Sequence, residues 1–200
     1  SGDREPGSKV IEQDLANELG VSRIPIRESL GKMVGQGLLV GEEGGRGVRM
    51  RKYTLEDIRQ LYEVRGALEG CAARAASRSA TDSDIARLQI ICRETKTEVG
   101  NYGSKRWADL DHAFHAALAD ASHNERLAQL LKSMLMECHF IFYLYPSRIR
   151  KPTLSPEDAA IRMREVLEGE HLALLNLIIA GDADAAARKA RDDMHKSGMI

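Results

Sequence analysis

Two hundred residues suit one large domain, or a small domain joined to a medium one. A composition that is 43% hydrophobic, 30% charged and only 4% aromatic favours helix packing over a β-sandwich. The net charge of -1 excludes a globally basic nucleic-acid binder, so any grip on phosphate must come from local clusters of cations. No apolar run reaches the roughly 18 residues of a membrane span, and no secretory leader is visible. Cys71, Cys92 and Cys138 are odd in number and lack CxxC spacing, which argues against a disulfide framework or a thiolate zinc site. They read as small core hydrophobes of a reducing, cytoplasmic compartment.

Residues 1–9 are polar and glycine-rich and predict an irregular lead-in. Glu12 to Gly20, EQDLANELG, predicts a short helix with Leu15, Ala16 and Leu19 on its apolar face and Gly20 at its end. Ser22 is an N-cap for the next helix, and Pro25 falls in its first turn, where a missing N–H costs little. Ile26, Leu30, Met33 and Val34 recur at helical spacing up to Gly37. Leu38 to Met50 alternates loosely around Gly44, Gly45 and Gly47, as a small hairpin would.

After Tyr53 the pattern changes to long amphipathic helices, which divides the chain into residues 1–52 and 53–200. Thr54-Leu-Glu-Asp57 opens the first as a capping box variant, and Thr81-Asp-Ser-Asp84 opens the second. Ser104 starts a third helix and Asn124 caps a fourth. Pro146 and Pro152 bracket a basic linker. Ser155-Pro156-Glu157 opens a long helix reaching Ala180, and Asp182 caps the last. The fold expected is mainly α: a small winged helix-turn-helix followed by an all-α helical bundle.

Two constellations carry chemistry. In the first, Arg23 and Arg27 lie one turn apart, so both face the same way from the second helix. Arginine there can hold guanine O6 and N7, while Ser22 and the helix N-terminus suit a phosphate. Arg46 and Gly47, at the tip of the glycine-rich hairpin, can approach the DNA backbone or minor groove. These features would suit double-stranded DNA as a partner, the operator of a regulator; the alternative is a short helical hairpin with solvated arginines. In the second, Asp111 and His115 are i and i+4 and share a helix face, which makes half of a metal site. His171 lies within an apolar helix, where it needs a buried partner or a metal. The final helix offers Asp193 and His195. Such ligands suit Zn²⁺, Ni²⁺, Mn²⁺ or Fe²⁺, and residue type does not choose among them. His112, His123 and His139 form no such pattern. Arg65 sits on the first long helix, four residues before Glu69, where an intrahelical pair is one reading.

The string Val21-Ser22-Arg23, Pro25, Arg27-Glu28, Leu30, with Leu15-Ala16 before it and Gly37-Leu38 and Arg46-Gly47 behind it, resembles the winged helix of the GntR family of bacterial regulators. The family carries another helix ahead of the segment PGSKV, so the winged helix is expected to be truncated at its first helix here. Tyr62-Glu63, Arg65, Leu68-Glu69, Asp111, Phe114-His115, Asn124, Glu170-His171 and Gly181-Asp182 resemble the FCD sensor domain of the FadR-type branch, over about residues 54–196. That resemblance implies a divalent metal held by Asp111, His115, His171 and a residue of the last helix. Register favours Asp193, with His195 as the alternative; with Asp193 the site would be rich in oxygen and lean towards harder ions. The resemblance also implies a small organic acid on the metal, gripped by Arg65 in bidentate fashion.

The function expected is therefore a homodimeric transcriptional regulator, a repressor by default, whose operator binding is controlled by an organic-acid effector. The alternative is a metal-dependent helical enzyme acting on a small carboxylate through Asp111, His115 and His171, although no general base beyond the ligands is evident. A bundle that only dimerises is a third reading, and it predicts neither metal nor cavity.

Overall fold

The structure, a computed structural model, describes residues 5–42, 47–98, 104–144 and 155–198. Pro146, Pro152, Gly44 and Gly45 lie outside the described residues. The chain is mainly α, as its composition and periodicity predict. The order is β1 (Lys9–Val10), α1 (Glu12–Leu19), α2 (Arg23–Gly35), β2 (Leu39–Gly41) and β3 (Val48–Met50), then a series of longer helices.

The first unit is held together by two turns and one small core. Gly20 adopts a left-handed conformation (φ 67°), which lets the N–H of Val21 reach back to the carbonyl of Ala16 at 3.0 Å and stops α1. The strands form an antiparallel sheet of order β1-β3-β2, with Leu39 opposite Met50 and Val10 opposite Val48. The lead-in is thus less irregular than expected. Lys9–Val10 pairs with β3 because alternation sends Val10 into a core of Ala16, Ile26, Leu30, Leu39 and Met50 while Lys9 stays outside.

The second unit is a helical bundle. Its helices are α3 (Leu55–Ser79), α4 (Asp82–Thr97), α5 (Lys105–Ala121) and α6 (Glu125–Leu144). These are followed by α7 (Pro156–Arg164), a π segment (Glu165–Leu172), α8 (Ala173–Ile179) and α9 (Ala183–Gly198). Thr54 with Asp57 and Thr81 with Asp84 form reciprocal capping boxes, which satisfy N–H groups that a helix leaves orphaned. Asn124 Oδ1 accepts from the Leu127 N–H at 3.1 Å. The expected single α-helix from Ser155 to Ala180 is corrected. The rod passes through π geometry from Glu165 to Leu172, and a wider turn there shifts the register of every side chain beyond it, His171 included.

The bundle core is built of Leu88, Phe114, Leu118, Leu131, Leu135 and Leu175 with small alanines between them. α3 lies against α9, and the contact runs through glycine: a Cβ at Gly70 would stand 3.0 Å from the Ala187 carbonyl oxygen. Cys92 and Cys138 are buried as expected, but Cys71 is exposed. Its neighbours Ala72 and Ala73 take the inward positions of α3, so Cys71 turns outward.

Phe140 of α6 joins the two units. It packs against the core of the first and also against a cluster of Tyr53, Ile58 and Ile141. Beside it, Arg51 Nη1 lies 3.5 Å from Glu137 Oε1 and donates to the Gly37 carbonyl at 3.1 Å. Among the described residues no helix is long and apolar enough to cross a membrane.

Candidate functional site

The bundle brings Asp111, His115 and His171 together. One donor atom from each lies within 4.8 Å of the others. α5 supplies Asp111 and His115 from successive turns, and the π segment supplies His171. His171 Nε2 is 3.3 Å from Asp111 Oδ1, and His115 Nε2 is 3.8 Å from the same oxygen. The His171 ring stacks on Phe114, with centroids 4.1 Å apart and planes 17° from parallel.

A second carboxylate orients the site from behind. Glu69 of α3 is fully buried; its Oε2 lies 2.8 Å from His115 Nδ1, and its Oε1 accepts from Arg65 Nε at 2.6 Å. A carboxylate on the far nitrogen of an imidazole fixes the ring and its tautomer and leaves Nε2 for a cation. Arg65 is itself buried, with its guanidinium 5.4 Å from the centre of the Tyr62 ring. Its partner on this helix is therefore Glu69, the intrahelical pairing that spacing allows.

The electrostatics follow from this crowding. Burial opposes charge on His115, but Glu69 and Asp111 outweigh it and lift its pKa to about 9. Burial would raise Asp111, yet the two imidazoles hold it well below the usual carboxylate range. Burial pulls His171 down towards the neutral form, which is the form that ligates metals. Burial, with Asp193 and Asp111 nearby, raises Glu170 to about 7.

These residues fit a divalent ion. Among the described residues, Nδ1 of His171 is buried with no hydrogen-bond partner, and Nε2 meets only Asp111 Oδ1 at 3.3 Å, outside hydrogen-bond geometry, a costly condition that a metal bond relieves. The donor set of two imidazoles and a carboxylate is one that Zn²⁺, Ni²⁺, Mn²⁺ and Fe²⁺ accept. A narrow cavity beside the cluster is lined by Glu69, His115, Glu170, His171 and Asp193, with Leu174 and Met194 among its apolar walls. Asp193 of α9 is buried there and accepts from Lys189, four residues earlier, whereas His195 is exposed.

Two roles escaped the sequence reading. Glu69 stands there in the Leu68-Glu69 pattern and as a partner for Arg65, but its second oxygen finds His115 through the α3–α5 contact alone. Glu170 as a cavity wall depends on the π segment, which no periodicity announces. The remaining histidines stand apart. His123 lies 2.9 Å from Asp84, and His112 packs against His139, with ring centroids 5.0 Å apart.

On the first unit, Ser22 caps α2 by backbone conformation, and its hydroxyl makes no capping bond. Arg23 and Arg27 are both exposed and converge on Glu12, at the start of α1. Arg27 Nη2 is 3.0 Å and Arg23 Nη2 3.3 Å from Glu12 Oε2. Arg27 holds the Glu12 carboxyl below its ordinary range. Gly47 lies just before β3, and Glu42 nearby binds Arg49 at 2.6 Å and Lys9 at 3.1 Å. Arg46 lies outside the described residues.

Comparison with known proteins bears on both units. Residues 60–196 match the FCD domain, and residues 1–49 match the bacterial regulatory proteins of the gntR family. The chain is 34% identical to the Nta operon transcriptional regulator of Aminobacter aminovorans over 68% of its own length and 63% of that protein's. It is 32% identical, over 93% of its length and 74% of the relative's, to an Escherichia coli protein named for regulation of the L-lactate dehydrogenase operon. The solved structure of E. coli McbR/YncC superposes with a TM-score of 0.78 at 22% identity, covering 99% of this chain and 88% of that one, which shows a shared fold.

Proposed function

The chain belongs to the gntR family of bacterial regulatory proteins and carries an FCD domain, and from that premise we propose a metal-dependent acid sensor that controls its own grip on DNA. The family is one of transcriptional regulators, not of enzymes, so the alternative of carboxylate turnover is set aside. In this reading residues 1–52 form the winged helix-turn-helix and residues 53–200 form the sensing and dimerising unit.

The observation that carries the proposal is the Asp111-His115-His171 cluster, with its orphaned imidazole nitrogens, beside a small cavity. Asp111, His115, His171 and Asp193 would hold a divalent ion; the exposure of His195 makes it the weaker candidate for the fourth ligand. The ion supplies a Lewis-acidic anchor for a carboxylate. A small organic acid would bind there, a reading supported by the relative named for the L-lactate dehydrogenase operon. Arg65 is the residue expected to grip the acid's carboxylate; its guanidinium is buried against Glu69, so it would reach the acid by leaving that pair and otherwise lends positive potential from the rear of the site.

Arg23, Arg27 and Ser22 would meet base edges and phosphates of operator DNA, with Arg46 and Gly47 on the wing. A two-fold homodimer would place two α2 helices on half-sites about one helical turn apart. An acid bound more tightly in one arrangement of the winged helices than in the other shifts the population towards it, and repression with acid-driven release is the default mode. A DNA-reading protein of this kind works in the cytoplasm.

The test is elemental analysis of the purified protein and its His171→Ala variant, followed by capture of fragments from sheared genomic DNA and titration of the captured sites with small acids. About one transition metal per chain, absent from the variant, with acid-dependent release of DNA, supports the proposal. Metal-free protein that still releases DNA on adding acid would refute the role of the ion.

A further inference from the structure

The left-handed turn at Gly20 folds α2 back beside α1, and this brings Glu12 to Arg23 and Arg27, 11 and 15 residues further along the chain. Arg27 Nε donates to Glu12 Oε1 at 3.1 Å and its Nη2 donates to Oε2 at 3.0 Å, a fork of two bonds. Arg23 Nη2 donates to the same Oε2 at 3.3 Å. One carboxylate thus serves both cations of the recognition helix. The Arg27 side chain is nevertheless 68% exposed and that of Arg23 55%, so each guanidinium keeps an open side.

The unit does not depend on this contact. α1 and α2 are already joined through Ala16, Ile26 and Leu30, and exposed ion pairs add little stability. Its consequences for DNA are larger, and there are two. The fork commits the Nε/Nη2 edge of Arg27 and fixes the plane of the outer Nη1/Nη2 edge. Guanine O6 and N7 take two donors lying in one plane, and a guanidinium already held in place loses less freedom on binding. The carboxylate also cancels one of two positive charges and repels phosphate, which weakens the grip on DNA of any sequence.

We infer that Glu12 is a specificity-determining residue of the DNA interface. It aims Arg23 and Arg27 at base edges and lowers the affinity of the chain for the wrong sequence. This rests on the reading of α2 as the recognition helix and adds to it a residue of the supporting helix.

The experiment uses two probes: a duplex enriched by the unaltered protein from a random-sequence pool, and a scrambled duplex of the same length and composition. Binding of the unaltered protein, Glu12→Gln and Glu12→Ala is followed by fluorescence anisotropy across a range of salt. Both variants should bind the scrambled duplex about threefold or more tightly than the unaltered protein, with a slope against log salt steeper by up to about one. They should bind the enriched duplex more weakly, so that the ratio of the two affinities falls about tenfold. The melting temperature should stay within about 2 °C, as an exposed pair requires. A ratio that is unchanged or raised, or a scrambled duplex bound no more tightly, overturns the inference and leaves the recognition helix standing. Equal weakening on both duplexes together with a lower melting temperature marks Glu12 as structural and overturns it too. If the unaltered protein enriches no sequence at all, the DNA-reading proposal falls, and this inference with it.

Discussion

Replacing Glu69 by alanine strikes the centre of the bundle. The side chain is fully buried, accepts from Arg65 Nε at 2.6 Å and faces His115 Nδ1 at 2.8 Å. Its removal strands the Arg65 guanidinium, which is 4% exposed and cannot reach water without repacking α3. Removing one partner of such a pair costs about 3–5 kcal/mol, and for a chain of this size that lowers the melting temperature by about 6–20 °C. Thermal and urea unfolding of chelator-treated protein, followed by circular dichroism, measure the loss without any contribution from metal. The companion variant Arg65→Met/Glu69→Leu removes both charges and keeps the volume, and it should recover most of the loss, since the penalty comes from an unpaired charge rather than a missing contact. The metal site reads the same change independently. Without the carboxylate behind His115, affinity for a divalent ion should fall about 10–100-fold. A melting shift below about 2 °C for Glu69→Ala, or a double variant less stable than the single one, would refute the account of this pair.

Further consequences can be measured with the same preparations. Gly70→Val places a Cβ 3.0 Å from the Ala187 carbonyl, and the overpacked α3–α9 contact should cost about 1–3 kcal/mol in urea unfolding. The folded pKa of His115, about 9, lies above its ordinary 6.5. Its stabilising contribution is complete below pH 6.5 and is lost as pH rises through about 9, so melts of metal-free protein should fall across that window; a flat profile would count against the charged imidazole. Phe140→Ala removes a ring shared by both units, which should cost up to about 3 kcal/mol and make residues near Met50–Tyr53 more sensitive to proteolysis. Arg27→Ala should lower the slope of log affinity against log salt by about one for duplex DNA; an unchanged slope would remove Arg27 from the phosphate contacts.

Local order was legible in the chain itself. Ser22 before a helical repeat, the Thr54–Asp57 and Thr81–Asp84 boxes and the stop at Gly20 are interactions over a few residues, so spacing alone locates them. The i, i+4 pairing of Asp111 with His115 and of Arg65 with Glu69 is legible for the same reason, because a helix repeats every 3.6 residues whatever it packs against. What the tertiary structure decided is everything that joins distant segments. Lys9–Val10 becomes a strand only because β3 is there to pair with it. Glu69 becomes a partner of His115 only where α3 crosses α5, and His171 meets Asp111 only through the π segment. Asp193 turns into the cavity and His195 turns to solvent because glycines let α9 lie close against α3 in one rotation about its axis. Such contacts depend on the packing of whole helices, and no short-range periodicity in the sequence encodes them.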